Sequence, residues 1–261
     1  MSGKVFLIGA GPGDPEYLTL KALRVLREAD VVVFDRLVSP EILAMVPPDV
    51  RRIDVGKAPN AHAVPQDRIN AILVDLAARG LTVARLKGGD PLVFGRGSEE
   101  AAALADAGIA VDYVPGITAA QGAAAATGIP LTHRGLACGV RYVTGHRARN
   151  MPLDLDWRSL ADDETTLVVY MGVANIAEIA AGLTAHGLSA ETPVMAIANA
   201  TTPREQRLVS QLDRIGADVA LNRLEAPVLF IIGRVVSLYR DLPDCLPVAA
   251  MLAETRVAGH G

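Results

Sequence analysis

Three glycine-rich turns follow apolar runs in the first half of the chain, and their residue types suit a site built from main-chain atoms. The first spans residues 9–15 (GAGPGDP) after Val5-Phe6-Leu7-Ile8, and the second spans 85–91 (RLKGGDP), with Gly88 and Gly89 ahead of Asp90. The third is Pro115-Gly116-Ile117-Thr118-Ala119-Ala120. Glycine lets the backbone approach a ligand closely, and proline stiffens the turn. At the carboxyl ends of neighbouring strands such loops enclose a pocket rich in exposed backbone groups, although each alone is also an ordinary turn. A dinucleotide fingerprint fits 9–15 poorly. Asp14 stands where GxGxxG needs its last glycine, and Pro12 and Pro15 remove amide donors that a pyrophosphate uses. Arg96 and Glu99 lie three residues apart at the start of an expected helix, on one side of its first turn. They read either as a surface ion pair or as an arginine fork for a carboxylate. Asp35 follows an apolar run and either caps a turn or works in a site; Lys57 is a solvated loop lysine or a functional one.

The apolar pattern supplies elements to hold these residues. In the first half, strands are expected at 4–8, 31–34, 82–86 and 111–114, and helices at 19–28, 66–79 and 97–107, which is the alternation of a parallel sheet. Across 66–79 the apolar Ile69, Ile72, Leu73, Leu76 and Ala77 recur at three- and four-residue steps, marking a helix face that covers a sheet. After Gly128-Ile129-Pro130-Leu131-Thr132-His133-Arg134 the pattern restarts, with strands at 140–144, 166–170, 194–198, 207–210 and 228–232 and helices at 176–185 and 212–220. The fold class is therefore α/β: two α/β domains, residues 1–131 and 132–261, joined by the Pro- and Gly-bearing stretch near 129–137, with a ligand cleft between them.

Composition agrees. Of 261 residues, 51% are hydrophobic and only 4% aromatic, which suits helices packed on buried parallel strands. The formal charge of −4 is spread along the length, so no basic stripe marks a nucleic-acid partner. The apolar run at 5–10 is too short and too glycine-broken for a signal peptide, and nothing reaches the about 18 apolar residues of a membrane span. A soluble protein is expected. Cys138 and Cys245 match no CxxC spacing and read as buried structural thiols in a reducing cytoplasm.

Further strings extend the pattern: 35–39 (DRLVS), Val55-Gly56-Lys57, 85–100 (RLKGGDPLVFGRGSEE), 114–118 (VPGIT), 128–134 (GIPLTHR), 143–146 (VTGH) and Tyr170-Met171-Gly172. Together with GAGPGDP they resemble the S-adenosylmethionine-dependent tetrapyrrole methylase family along nearly the whole chain, the 85–100 string and GIPLTHR most specifically. The resemblance implies S-adenosyl-L-methionine as cofactor, leaving as S-adenosyl-L-homocysteine and folded between the two domains. It places Pro12, Gly88, Gly89, Asp90, Val93, Thr118, Ala119, Met171, Ala200 and Val228 against the cofactor, most of them through backbone atoms or apolar packing. The Asp90 carboxylate would also accept from the ribose hydroxyls or the methionine amino group. The resemblance further implies methylation of uroporphyrinogen III on two ring carbons to give precorrin-2, and a homodimer. DRLVS with FGRGSEE favours that substrate over a later cobalamin intermediate.

A methyl on a sulfonium sulfur is electrophilic and a pyrrole carbon of a reduced porphyrinogen is electron-rich. The implied step is thus an in-line substitution that needs alignment and no metal. The ring must then lose a proton, which a positioned base and acid accelerate. The resemblance makes Asp35 the proton acceptor and Lys57 the proton donor. Arg96 would clamp a carboxylate of the substrate or join in proton transfer, with Glu99 orienting it. Arg36, His133, Arg134, His146 and Arg149 are further carboxylate partners in loops expected to face the crevice, or else surface charges. Met171 either fills core or touches both ligands.

Two stretches depart from the family pattern: 119–127 is nearly all Ala, Gly, Gln and Thr where some Tyr or Ser is expected, and Val228 replaces a smaller residue. Both keep backbone contacts open and put side-chain contacts in doubt. The acidic balance disfavours a relative that methylates RNA. A regulatory module without catalysis would have no need of Asp35, Lys57 and Arg96 beside the glycine loops. With no dehydrogenase or chelatase segment before Met1, the product is expected to be handed on, toward sirohaem, cobalamin or haem d1.

Overall fold

The structure is a computed structural model and describes residues 3–56, 64–146 and 153–240. Five strands of the first half, β1 (Lys4–Gly9), β2 (Val31–Phe34), β3 (Arg51–Asp54), β4 (Thr82–Lys87) and β5 (Ala110–Val114), form an all-parallel sheet in the order β3-β2-β4-β1-β5. Both faces are covered, which is why its inner strands read as unbroken apolar runs. On one face lie α1 (Leu20–Glu28) and α2 (Pro40–Ala44), whose Val25, Leu26 and Ile42 pack on Ile8, Val32 and Leu86. On the other lie α3 (Gln66–Ala78) and α4 (Gly97–Asp106), with Leu73, Leu76 and Leu104 against Val5, Leu7 and Val31. Thr19 and Ser39 start α1 and α2 by accepting from the Ala22 and Ile42 amides.

The second sheet has β6 (Gly139–Thr144), β7 (Thr165–Tyr170), β8 (Pro193–Ala198), β9 (Gln206–Gln211) and β10 (Val228–Ile232) in the order β6-β7-β10-β8-β9. It is mixed: β6 and β7 are parallel, β10 runs antiparallel to both β7 and β8, and β8 and β9 are antiparallel. One face carries α6 (Trp157–Leu160), α7 (Ile176–Ala185) and α8 (Ile215–Leu221). The helix expected at 212–220 begins late because the Leu212 and Asp213 amides first bond Thr192 and Ala190, closing a turn after β9. Trp157 lies flat on Gly182 of α7, where a Cβ would come within 2.8 Å of its ring.

The opposite face is covered by α5 (Ala119–Thr127), whose Ala120 and Ala123 pack with Val168, Met195, Ile197, Leu229 and Ile231. This helix follows the first sheet in sequence yet packs on the second, and its Gly122 meets Pro12 of the first half so closely that a Cβ would lie 2.6 Å from the proline ring. Cys138 is exposed, contrary to the expectation of a buried thiol, because it ends the connection into β6 at the sheet margin. Cys245 lies outside the described residues. No described helix is long and apolar enough to cross a membrane.

Candidate active site

The glycine turns meet at the carboxyl ends of the parallel strands. Gly11 and Gly89 exchange two backbone hydrogen bonds, at 3.1 and 2.7 Å, and the Ala10 amide donates to Lys87 O at 2.7 Å. Behind them Gly9 and Gly116 touch main chain to main chain; a Cβ on Gly9 would lie 2.6 Å from Gly116 Cα and from Gly89 O. The first and third loops can pack at this distance only because Gly9 and Gly116 lack side chains, which explains those two residue types in the sequence. Gly89 adopts a φ of 68°, and the nearest atom to a Cβ there would be the Ala119 amide nitrogen at 3.9 Å, so the surface above it is open.

Asp90 is spent partly on the scaffold. Its Oδ1 accepts from the Leu92 amide at 2.8 Å and its Oδ2 from the Gly116 amide at 3.0 Å, stitching the second turn to the third. Val93 is half-buried in the same loop. Thr118 caps α5, and its side chain and the Gln121 side chain close a reciprocal capping box. The Ala120 amide donates to the Tyr170 hydroxyl at 3.2 Å, which joins the start of α5 to the end of β7. Burial pushes the Tyr170 phenol above its ordinary range, so it stays protonated. Phe94 of the first half packs on the Tyr170 ring at 4.9 Å between centroids.

The facing loops come from the second sheet. Met171, half exposed, follows Tyr170 at a φ of 54°; Asn199 and Thr201 flank Ala200 at φ of 50° and 67°. Thr201 Oγ1 accepts from the Asp14 amide at 3.2 Å, and a Cβ on Gly13 would lie 3.5 Å from Ala200 O, so this loop adjoins the Pro12 turn. Val228 is placed differently. It opens β10 beside Ala198, and its side chain packs into the core under α7 and α8, on the face turned from α5.

Charged groups surround the glycine loops. Arg96 sits in the left-handed region at φ 57° and holds Glu99 bidentately, Nε to Oε1 at 2.8 Å and Nη2 to Oε2 at 2.7 Å, leaving Nη1 for another acceptor. That bonding raises the Arg96 guanidinium and holds the Glu99 carboxyl below the usual carboxylate range. Asp35 follows β2, half-buried, with Oδ1 accepting from the Leu37 amide at 3.1 Å. Leu37 of that loop covers Gly88, and Ser39 Oγ donates to Gly13 O at 2.7 Å. Beneath Asp35 is a feature that sequence reading missed: Glu100 is fully buried and accepts from both Arg85 and Lys87. Two cations spaced by one residue in the apolar strand Thr82–Lys87 are the signal, since both must project to one face and need an anion there.

Two predicted residues part company with the cleft. His133 and Arg134 do not face it. They lie at the far end of the second sheet around an open cavity of about 570 Å³, with Cys138, Glu164 and Arg234. β6 runs parallel to β7 and ends at the cleft, so the chain must travel the length of the sheet before entering it. Arg36 and His146 are exposed in loops after β2 and β6. Lys57 and Arg149 lie outside the described residues.

The model of the tetrapyrrole (corrin/porphyrin) methylases matches residues 4–216. The chain belongs to that family. The uroporphyrinogen-III C-methyltransferase of Paracoccus denitrificans (strain Pd 1222) is 61% identical to this methylase over 259 residues, 99% of this chain and 90% of that one. The siroheme synthase of Hahella chejuensis (strain KCTC 2396) is 51% identical over 237 residues, which are 91% of this chain and 50% of that protein, so the chain spans about half its length. Among solved structures, the uroporphyrin-III C-methyl transferase of Thermus thermophilus complexed with S-adenyl homocysteine is 42% identical, with a TM-score of 0.77; the match covers 91% of this chain and 100% of that one.

Proposed function

We propose that this methylase transfers two methyl groups from S-adenosylmethionine to ring carbons of uroporphyrinogen III, giving precorrin-2. The observation that carries the reading is the convergence of backbone-lined loops from both sheets beside an outward arginine fork and a half-buried carboxylate. The identity of 61% to the Paracoccus enzyme along nearly the whole chain supports the same substrate.

S-adenosylmethionine, when bound, supplies an electrophilic methyl group. Pro12, Gly88, Gly89, Asp90, Val93, Thr118, Ala119, Met171, Ala200 and Val228 hold it. The open surface over Gly89 fits such a ligand, and main-chain atoms with apolar contact suffice for most of the set. For Val228 the contact is by backbone, since its side chain is committed to the core. Asp35 accepts a proton that the macrocycle loses away from the newly methylated carbon, which has no hydrogen to give; Lys57 donates a proton that shifts a double bond and is lost again from another position, so each methyl gained costs the ring one proton. Arg96 binds a substrate carboxylate through Nη1, while Glu99 fixes the fork. Residues 1–131 and 132–261 act as two α/β domains around this cleft, with α5 of the first seated on the sheet of the second. The protein works as a homodimer in the cytoplasm.

The test is direct. Freshly generated uroporphyrinogen III and S-adenosylmethionine are given anaerobically to the purified protein, and the tetrapyrrole is weighed by mass spectrometry. The expected product has gained two methyl groups, and Arg96→Ala abolishes the gain. An unchanged tetrapyrrole with the cofactor still bound would move the substrate to a later corrin intermediate.

A further inference from the structure

The reading above leaves unused the charged cluster under Asp35. Arg85 and Lys87 project from β4 toward α3 and α4 and are 2% and 4% exposed, while Glu100 of α4 is wholly buried. Glu100 Oε1 accepts from Arg85 Nε at 3.2 Å and Nη2 at 3.1 Å, from Lys87 Nζ at 2.8 Å and from Gln66 Nε2 at 3.2 Å. Its Oε2 has no partner among the described residues. Burying ions is costly, and apolar side chains of similar volume commonly serve stability as well or better. Stability alone therefore does not explain the cluster.

Charge balance does. Two cations face one carboxylate, and the missing negative charge is Asp35, whose Oδ2 stands 3.6 Å from the same Arg85 Nη2 that binds Glu100. With Asp35 ionised, the four groups sum to zero. The guanidinium cannot drift, because Nη1 donates to Leu86 O at 3.1 Å while Nε and Nη2 are held by Glu100. The Asp35 side chain is 24% exposed, so it is gripped from beneath and reachable from the cleft.

We infer that Arg85, itself fixed by Glu100 and Lys87, is a positioning residue that orients Asp35 and keeps a fixed positive charge beside it for proton abstraction; the inference rests on the reading of Asp35 as proton acceptor. Once Asp35 takes a proton the cluster carries a net positive charge, which favours passing that proton on. Burial, ahead of the Arg85 charge, pulls the Lys87 ammonium below the usual lysine range, in keeping with a cluster that already holds as much positive charge as its carboxylates balance. The other charges nearby are Asp54 at the end of β3, whose Oδ1 is taken by the Gly56 amide, Arg36 next in the chain, and the Arg96–Glu99 pair at the head of α4.

The experiment measures kcat against pH for the full chain and for Asp35→Asn, Arg85→Gln, Lys87→Met and Glu100→Gln, with thermal midpoint and S-adenosylhomocysteine affinity as checks on folding. Asp35→Asn is expected to lose about 10²-fold or more in turnover. Removing a cation makes the protonated carboxylate easier to form, so Arg85→Gln and Lys87→Met move the acid limb of kcat to higher pH by about one unit. Glu100→Gln removes a negative charge and moves that limb to lower pH. Opposite displacements are the signature, because a merely structural role lowers the folded fraction in every variant without moving the limb in two directions. If Glu100→Gln does not fold, Arg85→Lys decides: a limb displaced in Arg85→Gln and restored in Arg85→Lys upholds the inference, and equal limbs overturn it. Full activity in Asp35→Asn would remove the proton-acceptor reading itself. An inactive Asp35→Asn with unmoved limbs elsewhere would overturn the positioning role alone.

Discussion

The first sheet carries charged side chains into its interior, whereas no charged side chain is buried on the described strands of the second. Arg85, Lys87 and Glu100 are buried around β4, while the buried polar side chains on the strands of the second sheet are the neutral Thr166 and Ser210. Both sheets send loops to the cleft, and both use bulky residues in the left-handed region there: Phe94 and Arg96 from one, Met171, Asn199 and Thr201 from the other. Such conformations cost about 1–3 kcal/mol each and persist where the surroundings fix them. The division of labour is plain in the residue types. In the function proposed above, one half holds the groups that would move protons and grip carboxylates, and the other is a shaped wall that would contribute mainly through its backbone course.

This contrast can be broken in three ways. Phe230, wholly buried at the centre of the second sheet, has no charge to balance, and Phe230→Ala is expected to cost about 3–5 kcal/mol in chemical denaturation. Turnover per folded molecule should survive; its loss would mean that the second core also tunes the chemistry. The combined change Arg85→Met, Lys87→Met and Glu100→Leu should behave in the opposite sense. Stability is expected to hold or rise by about 1–4 kcal/mol, while turnover collapses. A large fall in stability would make the ions a structural necessity. Smallest is Thr118→Ala, which removes the cap of α5 at the seam between the halves and should cost about 1 kcal/mol in thermal unfolding, with weaker binding of S-adenosylhomocysteine.

The same contrast governs what the sequence discloses. Strands covered on both faces leave apolar runs between amphipathic helices, so β1, β2, β4 and β5 are legible. β3 is not, because Arg51-Arg52-Ile53-Asp54 is a largely exposed edge strand with no apolar run. α2 is too short to show a period, and α5 is hidden by its alanines: packed on a sheet on one side and on Pro12 on another, it has no polar face to alternate with. The antiparallel pairing of β10 is also illegible, since a buried strand reads alike in either direction. The glycine loops are legible because close main-chain approach dictates their residue types. Glu100 is not, because it stands beside an identical Glu99, and only the phase of α4 against β4 sends one to solvent and the other beneath Asp35.

Trp157 is the single tryptophan of the chain, and it rests half-buried on Gly182 of α7, against the core on the face of the second sheet turned from α5. The molecule thus carries an optical label on one half alone. Its ultraviolet emission follows the apolar core of the second sheet, and the parallel sheet with its buried ions can loosen without dimming it.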